Sequence, residues 1–428
     1  MDWFPTGEQR PGNQAARHSG TQEEPERRSA RVPECPQLTG VSMVTSVLPG
    51  DVDTAARSVP SPVARALERA LEGRELSREE GLVLAEMPGE SVDALTAVAD
   101  EIRRRRVGDI VTYVVNRNIN FTNICSIGCT FCAFSTEPSA PDAYRLSVEE
   151  IARRALEAKE RGATEVCVQG GLPGEFDGFH YREILRAIKR VVPDIHIHAF
   201  SPMEVMYGVE KTGMSLDAYL TMLKAEGLGS LPGTAAEILD DGVRQRLSHK
   251  KVTVQQWVDV VTTAHRLGIP TTSTMMYGHV EEPVHWVNQF CLLRDIQRET
   301  GGFTEFVPLG FVHANTDLFR RGKARSGPTV EEHLKVHALA RLMLQGIIDN
   351  VQVSWVKLGR ELSQRCLQSG GSDYSGTLME ESISRLAGAS EGEYLPSEGF
   401  HERIREIGRI PAERDTTYTL LKIFPREE

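Results

Sequence analysis

Apolar positions begin to recur with a helical period near Ser61. Pro62 stands in the first turn, where its missing N–H costs nothing, and Val63, Ala66, Leu67 and Ala70 share one face. Ser77-Arg78-Glu79-Glu80 has the capping-box pattern that opens a second helix. A third is predicted from about Ser91 to Arg106, so residues 59–109 read as an N-terminal helical region. From Ile110 the pattern changes to short apolar runs alternating with amphipathic stretches. The predicted strands are Val111–Asn118, Thr164–Gln169, Asp194–Phe200, Leu228–Leu231, Thr271–Met276, Phe303–Pro308, Asn350–Trp355 and a weak one at Asp373–Thr377. Capping boxes open several intervening helices: Ser147 with Glu150, Thr253 with Gln256, Thr329 with Glu332. Eight strand–helix units over about 270 residues match a closed (β/α)8 barrel of TIM type. A doubly wound open sheet of so many strands would be unusually wide. The expected fold is α/β: a barrel over residues 110–390, a helical extension before it, and residues 391–428 as a C-terminal extension packed on it. No internal repeat or coiled-coil heptad is visible.

Residues 1–58 show no period and are rich in Gly, Pro, Ser, Arg and Glu, so they read as a disordered tail. They lack a signal-peptide core, and Glu8, Glu23, Glu24 and Glu26 disfavour a transit peptide. Met43 is an alternative start, and removal of residues 1–42 is expected to leave stability and turnover nearly unchanged. The 40% hydrophobic content suffices for a large core. No apolar run reaches the roughly 18 residues that cross a bilayer. A net charge of −11 argues against a phosphate-backbone partner. A cytoplasmic protein with no membrane and no nucleic-acid partner is expected. The one basic run, Arg103 to Arg106, reads as a solvated helix end, where cations are favoured.

Seven cysteines are too few for a disulfide scaffold in a chain of 428 residues. Three of them, Cys125, Cys129 and Cys132, lie just after the first strand, at the rim where barrel active sites assemble. The Cys-x3-Cys-x2-Cys spacing places three thiolates on one tight loop that Gly128 allows to curl. A four-iron cluster ordinarily takes four thiolates, so three leave one iron open to a small ligand. A zinc site borrowing a fourth ligand is the alternative, but structural zinc usually shows paired knuckles and no second pair exists here. Cys35 falls in the tail, and Cys167, Cys291 and Cys366 read as small core residues.

The spacing, with the aromatic Phe131 before the last cysteine, resembles the signature of the radical S-adenosylmethionine (SAM) superfamily. That resemblance implies a barrel of radical SAM type with a [4Fe-4S] cluster on the three cysteines. The open iron chelates SAM, a co-substrate cleaved by one electron to methionine and a 5′-deoxyadenosyl radical. It also implies that Phe131 and the Gln169-Gly170-Gly171 turn after the second strand border SAM; an ordinary strand-to-loop turn is the plainer reading of those glycines. Glu237 resembles the acidic residue that members of the superfamily place near SAM or substrate, and it reads equally as a helix N-terminal carboxylate. His196 and His198 alternate on the third strand and face one way, with Ser201 and Glu204 at the rim beyond. They read as interior polar groups rather than a zinc pair. His279, after the fifth strand, is either a proton carrier or a satisfied core residue. His333 and His337 have metal-compatible helical spacing, but their helix should lie outside the barrel, so both are expected at the surface.

Val114 to Asn123, leading into the cysteines, is similar to a small group within the superfamily. The group holds both halves of the deazaflavin-chromophore (Fo) synthase and two enzymes of the futalosine route to menaquinone. Gly301–Leu309 and Gly376–Arg385 resemble the Fo synthase subunit that uses tyrosine, and the single cysteine cluster would make the chain that half alone. The implied reaction joins the 4-hydroxybenzyl fragment of L-tyrosine to 5-amino-6-(D-ribitylamino)uracil. The other Fo synthase subunit and a reductant such as flavodoxin or ferredoxin are the implied partners. Asn116, Arg117, His198 and His279 are the candidate substrate contacts, chosen by position. A futalosine-route cyclase or synthase, and a non-catalytic cluster carrier, stay open as other readings.

Overall fold

A computed structural model describes Val52 and residues 58–425. The tail expected over residues 1–58, with Cys35 and Met43, lies outside the described residues apart from Val52 and Ser58. Among the elements with described bounds, α1 (Ser61–Leu71), α2 (Arg78–Glu86) and α3 (Val92–Val107) precede the barrel. α1 buries Val63, Ala66, Leu67 and Ala70, the apolar face of the sequence pattern. At the start of α2 the Ser77 hydroxyl accepts from Glu80 N–H, and the Glu80 carboxylate accepts from Ser77 N–H at 2.8 Å. At the end of α3, Arg104, Arg105 and Arg106 are exposed while Arg103 is buried against Asp100.

β1 (Ile110–Val114) and β2 (Asn116–Asn120) form one strand interrupted at Val115. There follow α4 (Val148–Glu160), β3 (Glu165–Gln169), α5 (His180–Val191), β4 (His196–Ala199), α6 (Pro202–Thr212), α7 (Leu216–Ala225), α8 (Asp241–Leu247) and α9 (Val254–Arg266). Next are β5 (Thr271–Tyr277), α10 (Pro283–Thr300), β6 (Phe303–Gly310), α11 (Asp317–Arg320), α12 (Val330–Leu344), α13 (Trp355–Leu367) and β7 (Asp373–Gly376). The chain ends in α14 (Ser382–Ala387), α15 (Ser397–Glu406), β8 (Ile410–Arg414) and β9 (Leu420–Ile423).

Parallel pairing closes a ring. It runs β2–β3–β4, crosses from His198 to Ser230 and from Leu231 to Thr271, and continues through β5–β6. It then passes from Phe306 to Val351 and from Gln352 to Asp373, and β7 returns to β1. The eight positions are those of a (β/α)8 barrel. The strands predicted at Leu228–Leu231 and Asn350–Trp355 shrink to isolated bridges. Pro232 has no N–H with which to extend a ladder, and a helical turn begins at Ser354, whose carbonyl accepts from Lys357 N–H at 3.1 Å. The first strand breaks because its two halves have different neighbours, β8 beside β1 and β3 beside β2. β8 and its antiparallel partner β9 were not foreseen within the C-terminal extension.

α12 packs against α2 and α3 on one side and against α10, α13 and β6 on the others. His333 and His337 are therefore buried and not, as expected, at the surface. The reason is the helix face they occupy, which turns inward so that His333 meets Tyr277 of β5 and the backbone at Gly310 of β6, while Lys335 and Met343 on another face meet the N-terminal helices. His333 Nδ1 meets the Tyr277 hydroxyl at 2.6 Å, and His337 Nδ1 meets the His333 carbonyl at 2.7 Å.

Candidate active site

The base of the barrel is polar. Residues of one strand parity face inward and bond across the ring. Arg414 donates to Asp373 at 2.6 Å, Gln352 donates to Glu305 at 3.0 Å, and Tyr418 donates to Glu305. Glu165 accepts from Asn116 at 3.0 Å and from Thr416 at 2.7 Å. His196 Nε2 and His198 Nδ1 converge on the Ser230 hydroxyl at 2.7 and 2.6 Å. Burial lowers the His198 pKa to about 4, so the ring is neutral. Arg414, Thr416 and Tyr418 belong to the β8–β9 hairpin, which thus closes the base and leaves the C-terminal rim open.

At that rim the cysteine loop follows β2 and is strapped by its backbone. Cys125 N–H donates to the Thr136 carbonyl at 3.2 Å, and Ser126 N–H to Leu172 at 3.0 Å. Thr130 N–H donates to Leu247 at 3.1 Å, and its own carbonyl accepts from Leu318 N–H at 2.8 Å. The three thiols are half-buried. Burial pushes Cys129 up to about 11 and raises Cys132, while the Lys251 cation opposes both shifts. Iron binding would replace those protons. The donor set fits a four-iron cluster: three thiols on one strapped loop, with the Gly171 turn pressed against it. A Cβ on Gly171 would collide with the Ile124 carbonyl and lie 3.1 Å from the Cys125 Cβ. No three His, Cys, Asp or Glu side chains among the described residues converge as a single-ion site requires. Cluster thiolates, each on its own iron, have no need to.

The Gln169–Gly171 turn is held from below. Glu204 accepts from Gly170 N–H at 3.1 Å, and its other oxygen accepts from Ser201 N–H and Oγ at 2.7 Å. Burial raises the Glu204 pKa to about 7. Gln169 accepts from Thr234 Oγ1 at 2.9 Å. Glu237 lies in a turn before α8, which Asp240 caps, so the helix N-terminal reading of Glu237 is set aside. Its carboxylate takes Lys251 Nζ at 2.7 Å. Beside the cysteines a cavity of about 160 Å³ opens, bordered by Phe131, Cys132, Thr234, Glu237, Thr274, Met276, Phe311 and Lys357.

The structure gathers Phe131, Cys132 and Glu237 at that cavity, with Gln169 bonded to Thr234 on its wall. It places the other candidates elsewhere. Asn116 and His198 belong to the polar base. Arg117 faces out of the barrel, with Glu157 at 2.9 Å and Glu380 at 3.1 Å. His279 folds onto its own turn, its Nε2 at 2.8 Å from the Met276 carbonyl and its Nδ1 at 3.1 Å from Glu281. Cys366 is a core residue, whereas Cys167 shares the inward parity of β3 and takes Gln169 Nε2 at 3.4 Å on its sulfur. Sequence reasoning passed over Lys251, Lys357 and the grip of Glu204 on Gly170. Only the Ser-x-x-Glu pattern at residues 201–204 signalled any of these.

Two family patterns match the chain: the radical SAM superfamily over residues 119–290 and the CofH/MqnC C-terminal region over residues 300–426. The chain is 51% identical over 352 residues to the 5-amino-6-(D-ribitylamino)uracil–L-tyrosine 4-hydroxyphenyl transferase of Methanocaldococcus jannaschii, covering 82% of this chain and 98% of that protein. It is 52% identical to the FO synthase of Nocardia farcinica, covering 83% of this chain and 41% of that protein. Among solved structures, methylornithine synthase (PylB) aligns over 81% of this chain and 97% of its own, with a TM-score of 0.63 and 19% identity. The FeFe-hydrogenase maturase HydG from Carboxydothermus hydrogenoformans aligns over 86% of this chain and 83% of its own, with a TM-score of 0.65 and 17% identity. These two share the fold. With its three rim cysteines, its closed ring and 51% identity over 352 residues to a dedicated transferase, the chain belongs to the radical SAM superfamily and, within it, to the CofH-like Fo synthase subunits.

Proposed function

We propose that this chain transfers the 4-hydroxybenzyl part of L-tyrosine to C5 of 5-amino-6-(D-ribitylamino)uracil. The product is the carbon–carbon bonded precursor of the deazaflavin Fo, released with 2-iminoacetate, 5′-deoxyadenosine and methionine. The observation that carries this reading is 51% and 48% identity to two dedicated transferases, each matched over 98% of its length. When bound, the cluster and SAM supply the 5′-deoxyadenosyl radical that takes hydrogen from tyrosine. The chain's own residues hold and shield the reactants. Cys125, Cys129 and Cys132 would ligate the cluster, and the Gln169–Gly171 turn would offer backbone groups to the SAM amino group. Glu237, its charge met by Lys251, borders the same cavity. Phe131, Met276, Leu309 and Phe311 line it with apolar surface that excludes water from reactive fragments.

This chain spans 41% of the FO synthase of Nocardia farcinica, and we assign the remaining Fo chemistry to the part of such proteins that it does not match, the other Fo synthase subunit being the proposed partner. A flavodoxin- or ferredoxin-class reductant and a cytoplasmic location complete the proposal. No helix among the described residues is long and apolar enough to cross a membrane. The test supplies reductant, SAM, the pyrimidine and labelled tyrosine. Ring label should enter the pyrimidine adduct, and backbone label should leave as 2-iminoacetate. Phenylalanine should replace tyrosine poorly, since a pocket built to bond the phenol would be left unpaired. Cyclisation of dehypoxanthine futalosine without any adduct would overturn the assignment.

A further inference from the structure

Lys357 borders the same cavity as Phe131, Cys132 and Glu237. It lies in the single helical turn after the seventh strand position, where Lys357 and Leu358 N–H both reach the Ser354 carbonyl. Gly359 then breaks the helix with φ +73° and ψ −177°, a backbone open to glycine, so this turn stays at the rim while the rest of α13 runs on. Lys357 Nζ donates to Ser384 Oγ at 3.0 Å, leaving two of its three N–H groups to spend. Among the described residues no carboxylate lies within ion-pair distance of it. Glu381 acts on it only through space: its carboxylate accepts from Asn118 Nδ2 at 2.6 Å and from Ser384 N–H at 2.8 Å, and Ser384 stands between the two. Glu237, the other charged group at the cavity, is already met by Lys251. Lys357 thus has no anion in direct contact at the cavity, and a cation partly withdrawn from water is stabilised by an anion brought against it.

The proposed reactants narrow the anion. The pyrimidine and its ribityl chain are uncharged, and a phenol is neutral near pH 7. In the superfamily the SAM carboxylate goes to the cluster. The α-carboxylate of tyrosine remains. We propose that Lys357 binds the α-carboxylate of L-tyrosine and so selects a free amino acid and sets its placement in the cavity. This rests on the transferase reading above. It extends that reading by naming the group that recognises the amino-acid end of the substrate.

The experiment uses the cluster- and SAM-loaded, unreduced enzyme, so that nothing turns over. Calorimetry measures binding of L-tyrosine and of tyramine, which keeps the phenol and the amine but lacks the carboxylate. Wild type should prefer tyrosine. Lys357→Gln and Lys357→Met should lose about 10- to 100-fold of tyrosine affinity, the range of one charge-assisted hydrogen bond, with tyramine unchanged. Iron content and visible absorption should match wild type. If both ligands weaken together, or if SAM affinity falls while the tyrosine preference survives, the proposal is overturned. Adduct formation by wild type is scored separately. An enzyme that makes the adduct yet keeps its preference in the variants sinks only the lysine, whereas one that makes no adduct sinks the transferase reading.

Discussion

Cys125, Cys129 and Cys132 differ from the other described cysteines by place and not by type. All three sit on the strapped rim loop, while Cys167 lies deeper, beside Gln169 Nε2. Replacing any of the three by alanine should remove one cluster thiolate and abolish SAM cleavage, with iron content falling in the reconstituted protein. Cys167→Ala should keep both, and its loss of iron would show that the ligand set is wrongly assigned. Glu204 offers a second test at this scale. Its carboxyl pKa is raised from 4.5 to about 7 by burial, although Gly170 and Ser201 donate to it. Between those two values the folded protein keeps a proton that the unfolded chain has lost, so stability falls as pH rises through that window. Glu204→Gln should lack this fall. The difference in urea midpoint between variant and wild type, followed from pH 4.5 to 7, reads it directly.

Two packing arrangements set where the chemistry can take place. The Gly-rich turn and the cysteine loop touch so closely that any side chain at Gly171 must push one away. Gly171→Ala should therefore lower iron retention and cost about 1–3 kcal/mol in stability, an overpacking penalty. Full iron content with an unchanged melting temperature would count against this packing. The β8–β9 hairpin closes the opposite end through Arg414, which is buried and paired with Asp373. Arg414→Met leaves that carboxylate unpaired and should cost about 3–5 kcal/mol, seen as a large fall in Tm. Changing Asp373 to Asn in the same chain should recover part of it, because the orphaned charge is then gone.

Across the whole molecule, burial of histidines sets the response to acid. His198, His265 and His337 are lowered to about 4 and His333 to about 3, all by desolvation. Below about pH 6.5 the unfolded chain protonates these rings and the folded one does not, so each costs about 1.4 kcal/mol per pH unit. Glu204 and Glu305, both raised to about 7, push the other way but number two against four. The urea midpoint should fall between pH 6.5 and 5.5, and it should fall more steeply in Glu204→Gln. A flat midpoint would mean that the histidines are not buried neutral.

What could be read without coordinates was the chemistry that depends on neighbours in sequence. Cysteine spacing, capping boxes at Ser77, Thr253 and Thr329, and the period of α1 are set within a few residues of chain, and the structure repeats them. The order of strands and helices was legible for the same reason, up to the two strands that Pro232 and the turn at Ser354 cut to bridges. Partners far apart in sequence were not legible. Arg117 and Asn116 are adjacent, yet strand alternation sends one outward to Glu157 and the other inward to Glu165. His333 and His337 are buried because their helix face turns onto the barrel, where His333 meets a Tyr277 that is 56 residues away in sequence, a separation no local pattern reports. Lys357 gave no signal either, since a lysine in an apolar run means little until the ring closes and leaves it at a cavity with no anion in direct contact. Local spacing decides which groups are present and on which element. Only closure of the barrel decides which of them meet, because charge, burial and hydrogen bonding act through space and not along the chain.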